Sequence, residues 1–170
     1  MTTPAELLAD AFGRIRDDVA HAIDGLDADT LARRPDGADG PGNSIAWLVW
    51  HLTRVQDDHV AEAFGTEQVW PKGWSARFGL PFDDAATGYG QTSTEVGAVR
   101  AEATLLIQYH EAVSAQTRAQ LDGLTPEDLN RPMDDTWGPN VSLGERLISV
   151  IGDDMQHIGQ AAYLRGLFGA

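Results

Sequence analysis

Residues 43–61, NSIAWLVWHLTRVQDDHVA, decide the fold class, because their apolar side chains recur at the three- and four-residue spacing of a buried helix face. The spacing predicts a helix over 44–64, capped by Asn43 after the breaker run DGADGPG. A second stretch, SVIGDDMQHIGQAAYL at 149–164, has the same periodicity. It belongs to a helix predicted over 143–167, in which Ser142 and Glu145 form a capping box.

Two further long helices complete the pattern. Residues 4–24 begin with Thr3 as cap and Pro4 in the first helical position, and apolar residues then follow at helical spacing. Residues 93–122 form the other predicted helix, with its cap at Thr92 or Ser93. Two short helices are expected at 28–33 and 126–130.

A long segment, 66–91, connects the second and third long helices and is rich in Gly, Pro and aromatic residues. A connection of this length in a compact domain is usually a functional lid or a crossover. No stretch has the alternating pattern of a strand. We therefore predict an all-α fold, a four-helix bundle with one long crossover connection, formed by a single domain over 1–170.

Composition excludes several classes of partner. The chain has 170 residues, 42% of them hydrophobic, and a formal net charge of −14. Such an acidic chain lacks the clustered cations that bind nucleic acid or an anionic membrane surface. No apolar run reaches the roughly 18 residues of a membrane span, and the first residues do not resemble a signal peptide. We expect a cytoplasmic protein with small-molecule partners.

The absence of cysteine restricts the chemistry. It excludes disulfides, thiolate zinc sites and a cysteine nucleophile. Lys72 is the only lysine, and no P-loop motif occurs. Carboxylates, hydroxyls, five histidines and any metal ion that they hold remain for catalysis.

Three of these residues are candidate metal ligands. His51 and His157 each lie in the middle of an apolar helix, where a polar ring needs a partner. Asp153 precedes His157 by four residues, so both side chains leave one face of their helix. Two histidines and a carboxylate suit a divalent ion such as Zn, Ni, Fe or Mn. The alternative is structural: Asp153 and His157 form a hydrogen-bonded pair, and a backbone carbonyl or a water satisfies His51.

Two more carboxylates lie close to these ligands in sequence. Asp154 could replace Asp153 as a ligand, or it could orient His157 without binding the metal ion itself. Asp58 lies seven residues after His51, on the same helix face but about 10 Å along the axis, which is too far for an easy ligand of the same ion. We assign no role to His59, because its position fits a solvent-facing side chain as well as it fits a residue of the site.

The motifs around both histidines resemble those of the DinB/YfiT superfamily, and most closely its branch of mycothiol-dependent S-transferases and maleylpyruvate isomerase-like proteins. NSIAWLVWHLTRVQDDHVA carries WHL around His51, DDMQHIGQAAYLRGL carries HxGQ from His157, and the similarity extends over nearly the whole chain. It implies a metal triad with one histidine in the second long helix and an HxxxH pair in the fourth. Asp153 stands where this pair usually has a histidine.

The resemblance also implies an activity. A divalent metal ion held by His51, Asp153 and His157 would bind a low-molecular-weight thiol, with mycothiol as cosubstrate, and lower its pKa for attack on an electrophilic small molecule. Asp58 or Asp154 would accept a proton or support the site. The family also favours a homodimer.

Two alternatives remain open from the sequence. The carboxylate at Asp153 could leave a degenerate metal site, in a non-catalytic, small-ligand-binding or stress-related bundle protein. Hydrolysis by a metal-bound water would use the same residues.

Overall fold

A computed structural model describes residues 2–38, 40–133 and 140–170. Asp39, within the predicted breaker run, therefore lies outside the described residues. In chain order the helices are α1 (Pro4–Ile23), α2 (Ala28–Ala32), α3 (Ile45–Phe64), α4 (Ser75–Phe78), α5 (Ser93–Ala98), α6 (Ala103–Leu121), α7 (Pro126–Leu129) and α8 (Leu143–Phe168). No β-strand occurs in these ranges, which confirms the predicted all-α class.

The four long helices α1, α3, α6 and α8 form the bundle. Helix α3 packs against both α6 and α8, and α1 closes the other side against the same two helices. Most of α3 is buried, and its buried residues include Arg54, Gln56 and Asp57 as well as the apolar ones. None of the described helices is long and apolar enough to cross a membrane.

Local sequence signals set most helix boundaries. Thr3, Thr92 and Ser142 each cap a helix with a complete capping box. The predicted cap at Asn43 is wrong by one residue, because Ser44 accepts the hydrogen bond from the backbone N–H of Trp47. Ends of the predicted long helices otherwise agree with the structure to within a few residues.

The prediction of one helix over 93–122 is wrong, because the chain leaves the helical conformation between α5 and α6. Val99 has an extended backbone, and both Val99 and Ala101 are buried. On a helix, side chains two residues apart point in nearly opposite directions, whereas on an extended backbone they point to the same side. The break in the helix therefore lets the side chains of Val99 and Ala101 both enter the core.

The crossover 66–91 is tied to α3 by two buried charged residues. Asp57 accepts hydrogen bonds from the N–H groups of Val69 and Trp70, at 2.7 and 2.8 Å, and from the hydroxyl of Tyr109. Arg54 donates to the carbonyl oxygens of Asp84 and Ala86 farther along the same segment. The segment is therefore held at both ends by one turn of α3.

A fully buried histidine makes stability depend on pH. His110 on α6 lies 3.0 Å from the hydroxyl of Thr53, which itself donates to the carbonyl of Val49. The imidazole Nδ1–H must therefore be the donor to Thr53. Burial, and then the charge of Arg16, lower the pKa of His110 to about 4.

We predict that the free energy of unfolding falls by about 1–2 kcal/mol between pH 7 and pH 5 because of His110 alone. The unfolded histidine takes up a proton near pH 6.5, whereas the folded one stays neutral until about pH 4. The stabilisation is thus complete above pH 6.5 and is lost as the pH falls toward 4.

Urea unfolding at both pH values measures this slope. His110→Gln should flatten it, and His21→Gln, at an exposed position of α1, should leave it unchanged. Equal slopes in wild type and His110→Gln would contradict the assignment.

Candidate metal centre and its cavity

Packing of α3 against α8 brings the three predicted metal ligands together. His51 comes from α3, and Asp153 and His157 come from successive turns of α8. One ligand atom from each of the three lies within 4.8 Å of the other two. The imidazole rings of His51 and His157 are 4.8 Å apart between centroids. Donor atoms this close converge on a volume of the size that one metal ion occupies.

The crossover fixes the orientation of His51. Its Nδ1 lies 2.6 Å from the carbonyl oxygen of Thr87, and because a carbonyl only accepts, Nδ1 carries the proton. Nε2 is left with a free lone pair. The ring of Trp47 stacks on the imidazole at 4.6 Å and 16°. Burial lowers the pKa of His51, and the hydrogen bond to Thr87 offsets part of that shift. The ring is therefore held neutral, as a metal ligand must be.

His157 is oriented in the same manner from its own helix. Its Nδ1 lies 3.1 Å from Oε1 of Gln160, one turn farther along α8. The opposite nitrogen, Nε2, lies 3.6 Å from Oδ1 of Asp153, which is too long for a hydrogen bond. The structural alternative for Asp153 and His157, a hydrogen-bonded pair, therefore does not fit this geometry.

Asp153 supplies the observation that favours a cation here. Its Oδ2 is buried and has no hydrogen-bond partner among the described residues. The side chain as a whole is 38% exposed, but this oxygen lacks the donor that a buried polar atom normally has. With two imidazole nitrogens beside it, this carboxylate fits a divalent ion, so the residues present suit the group that the motif implies.

A cavity of about 810 Å³ opens beside the three ligands, and His51 and Asp153 form part of its wall. Asp58 also lines it, although it lies two turns along α3 from His51. Oδ1 of Asp58 accepts a hydrogen bond from Gln68 at 2.7 Å, and its Oδ2 is 3.5 Å from Nδ1 of His59. The cavity is large enough for a small organic molecule next to the ligands.

The sequence model of the mycothiol S-transferase family matches residues 7–169. The chain belongs to this family. A solved structure, described as the conserved protein of a locus from Enterococcus faecalis, superimposes with a TM-score of 0.87 at 26% identity and covers 100% of both chains. No curated protein matches the chain. The family and the all-helical fold confirm the resemblance to the DinB/YfiT superfamily.

Asp154 lies apart from the site in this member of the family. Its side chain points into the bundle interior, with no exposed surface, and does not line the cavity. Burial raises its pKa well above the ordinary value, with a further contribution from the charge of Asp153. Neither carboxyl oxygen has a hydrogen-bond partner among the described residues. The structure thus places a fully buried carboxyl group next to Asp153 in the chain and away from the cavity.

His59 and Arg146 line the cavity and were not predicted to belong to the site. His59, whose side chain is 18% exposed, contacts the guanidinium of the buried Arg146 from α8. Burial and that charge lower the pKa of His59 to about 4, so the ring is neutral at physiological pH. The spacing of eight residues between His51 and His59 was the sequence feature that could have placed His59 at the site. No sequence pattern indicates its contact with Arg146.

Thr87 and Gly88 were also missed, although the two glycines of the stretch TGYG (87–90) pointed to an unusual backbone. Gly88 has a φ of 102°, and a Cβ built there would lie 2.6 Å from Nδ1 of His51 and 3.1 Å from the ring of Trp50. Only glycine lets the Thr87 carbonyl approach the imidazole this closely.

We predict that Gly88→Ala weakens Zn²⁺ binding by about 10- to 100-fold, because the methyl group displaces His51 from the Thr87 carbonyl that orients it. Competition with a chromophoric chelator measures the affinity. Gly90→Ala is the matched control: its φ is 71°, but a Cβ there meets no described atom within 4 Å. Equal losses in both variants would mean that backbone strain alone, and not the contact with His51, is responsible.

Proposed function

We propose that this member of the mycothiol S-transferase family is a metal-dependent enzyme that joins a low-molecular-weight thiol, mycothiol, to an electrophilic small molecule. The family match supports the thiol. The single observation that carries the metal dependence is the cluster of His51, Asp153 and His157, with its unpaired carboxylate oxygen.

In this proposal His51, Asp153 and His157 hold one divalent cation, Zn, Ni, Fe or Mn. A divalent cation held there would supply the Lewis acidity that lowers the pKa of a thiol. His51 keeps its lone pair on Nε2 because Thr87 binds the opposite nitrogen. Asp153 contributes the negative charge, which makes the site more favourable for harder ions than three neutral imidazoles would be.

The nucleophile comes from the substrate, since the chain has no cysteine. The thiol sulfur forms a bond to an electrophilic carbon, the thiol proton passes to a base, and the electrophile loses its leaving group. Asp58 is the base that we favour, because it lines the same cavity as His51. Asp154 is assigned a supporting role only, since it is fully buried behind Asp153 and does not reach the cavity.

Charge supports the choice of partners. With a net charge of −14 and Asp58, Glu145 and Asp153 around the cavity, we propose small molecules as the only ligands of this site and no role for nucleic acid. A thiol that is rich in hydroxyl groups can use these carboxylates as hydrogen-bond acceptors.

We predict that the wild-type protein, without an affinity tag, holds close to one divalent metal ion per chain, and that His51→Ala and His157→Ala both lose it. Each change removes one of three ligands from a site in which no fourth protein ligand is found among the described residues. Elemental analysis by mass spectrometry measures the metal content. His21→Ala, at an exposed position of α1, should retain the metal.

Wild-type protein that holds no metal, even after incubation with Zn, Ni, Fe or Mn, would contradict the proposal that the protein is a metal-dependent enzyme. The degenerate site in a small-ligand-binding bundle would then be the better description of the protein.

We predict that Asp58→Asn lowers kcat for mycothiol conjugation by about 10²- to 10⁴-fold while the metal content stays at the wild-type level, because the amide cannot accept the thiol proton. Loss of free thiol in the presence of an alkylating electrophile measures the rate. Asp18→Asn, at an exposed position of α1, should leave kcat unchanged. An active Asp58→Asn variant would remove Asp58 from the mechanism without affecting the metal site.

A further inference from the structure

A second pocket, of about 450 Å³, lies along α3 and α8 on the opposite side of the three ligands from the cavity. We call it the neutral pocket, and it is lined by Pro35, Asn43, Leu48, Gln156, Gly159, Gln160, Tyr163 and Leu164. It joins the start of α3 to the later part of α8, whereas the cavity joins α3 from His51 onward to the earlier part of α8, up to Asp153. His51, Asp153 and His157 therefore lie between two spaces that can each hold a small molecule.

The two spaces differ in the chemistry of their walls. The cavity has carboxylates and an arginine in its wall. Among the described residues, none that lines the neutral pocket is acidic or basic, and its polar groups are side-chain amides and the hydroxyl of Tyr163. An ion that enters such a pocket loses hydration that the wall does not replace. The neutral pocket therefore suits an uncharged ligand.

Gln160 connects the neutral pocket directly to the metal centre. Its Oε1 lies 3.1 Å from Nδ1 of His157, and this nitrogen carries the proton when the opposite one is left for a metal ion. No described residue accepts a hydrogen bond from the amide nitrogen of Gln160, so this group is available to a ligand. Gln156 has the opposite orientation: its amide nitrogen donates to the carbonyl of Gly152 at 3.1 Å, which leaves its oxygen as an acceptor. The pocket thus offers both a donor and an acceptor within one turn of His157.

Two residues of α8 fit a molecule bound in the neutral pocket. Gly159 lies in the middle of the helix, where glycine is unfavourable, and a Cβ built there meets no described atom within 4 Å. The missing side chain leaves open part of the space that forms the pocket. Tyr163, four residues farther on, is 71% exposed although it lines the pocket. A small molecule beside these two residues would cover apolar surface of the tyrosine ring.

Hydrogen bonds hold in place the wall that Pro35 and Asn43 form. The guanidinium of Arg34 donates to the carbonyl oxygens of Pro41, at 2.6 Å, and of Gly42. The N–H of Gly42 donates to the carbonyl of Pro35 at 2.9 Å. This wall is therefore formed before a ligand arrives, so binding does not have to order it.

We propose that the neutral pocket binds the electrophilic substrate, an uncharged organic molecule with an apolar body and a hydrogen-bond acceptor such as a nitro or carbonyl oxygen. The acceptor receives the hydrogen bond from Gln160, and the thiol occupies the cavity that Asp58 lines. The two substrates then meet at the boundary between the two spaces, beside His157. The ligand's role as electrophile rests on the proposed transferase function, whereas the preference for an uncharged molecule rests on the walls of the pocket alone.

Calorimetric titration tests the pocket in the absence of any thiol. The probe is meta-dinitrobenzene, which has an apolar ring, two acceptor groups and no leaving group. We expect it to bind at a single site on each chain. The dinitrobenzoate anion adds a carboxylate to the same ring and should bind at least about 10-fold more weakly, because the pocket has no cation to replace its hydration.

Gly159→Leu fills the pocket and should weaken binding of meta-dinitrobenzene by at least about 10-fold. Gly166→Leu is the matched control: a Cβ there also has open space, but this residue does not line the pocket, so binding should be unchanged. Leucine is a better helix former than glycine at both positions, which preserves the fold. Both variants should keep the metal content of the wild type, since neither residue is a ligand.

Three outcomes of the titration would overturn the proposal. The first is no binding of meta-dinitrobenzene to the wild type at about 1 mM probe. The second is equal affinity for the dinitrobenzoate anion. The third is a Gly159→Leu variant that binds the probe as tightly as the wild type.

Steady-state kinetics tests which substrate occupies the pocket. With chlorodinitrobenzene the thiol sulfur bonds to the chlorinated carbon, chloride leaves, and the thiol proton passes to the base. Gly159→Leu should raise KM for chlorodinitrobenzene by at least about 10-fold and leave KM for mycothiol unchanged. A rise in KM for mycothiol alone would place the thiol in the pocket and refute the assignment.

A wild type without any turnover would instead reject the transferase function, and with it the role of the ligand as a substrate. The titration would still decide whether the pocket binds an uncharged molecule. An active enzyme whose pocket fails the titration would overturn this inference and leave the transferase function intact.

Discussion

The buried pair of Arg54 and Asp57 is the constraint on which the site depends. Both side chains are inaccessible to solvent, and the closest charged atoms are 3.6 Å apart. Burying two charges is costly, and the cost is offset here because backbone groups of the crossover complete their hydrogen bonds. Without these partners the two buried charges would retain only their contact with each other and with the hydroxyl of Tyr109 and Gln68. The crossover is therefore bound to α3 by hydrogen bonds to buried charged groups near both of its ends.

That anchoring explains how an irregular segment can position a metal ligand. The carbonyl of Thr87 follows directly after Ala86, whose own carbonyl is held by Arg54. His51 is consequently oriented by a backbone carbonyl that lies next to an anchored residue, and burial lowers its pKa. Asp153 on the opposite helix keeps one oxygen without a partner. The fold thus places a carboxylate beside two nitrogen donors, so binding of a cation and stability of this region are coupled.

The sequence predicted what depends on local interactions. Helix periodicity and capping boxes identified α1, α3 and α8 with nearly correct ends, and they placed α6 inside a longer predicted helix that also took in α5. The i, i+4 spacing placed Asp153 beside His157. Contacts between residues far apart in the chain could not be predicted from these local patterns. The break after Val99 arises because two nearby side chains both enter the core, and Thr87 reaches His51 only through the anchored crossover. The contact between α3 and α8 at His51 was predicted by the family resemblance alone, because no pattern in the residues indicates which helices are neighbours.

Helix α8 has two different surfaces because its charges are segregated around its axis. Asp153 and His157 point toward α3, and the outer face of Ile148, Met155 and Tyr163 is uncharged. The side of α8 that carries Asp153 and His157 therefore faces the bundle, where these residues meet His51 from α3.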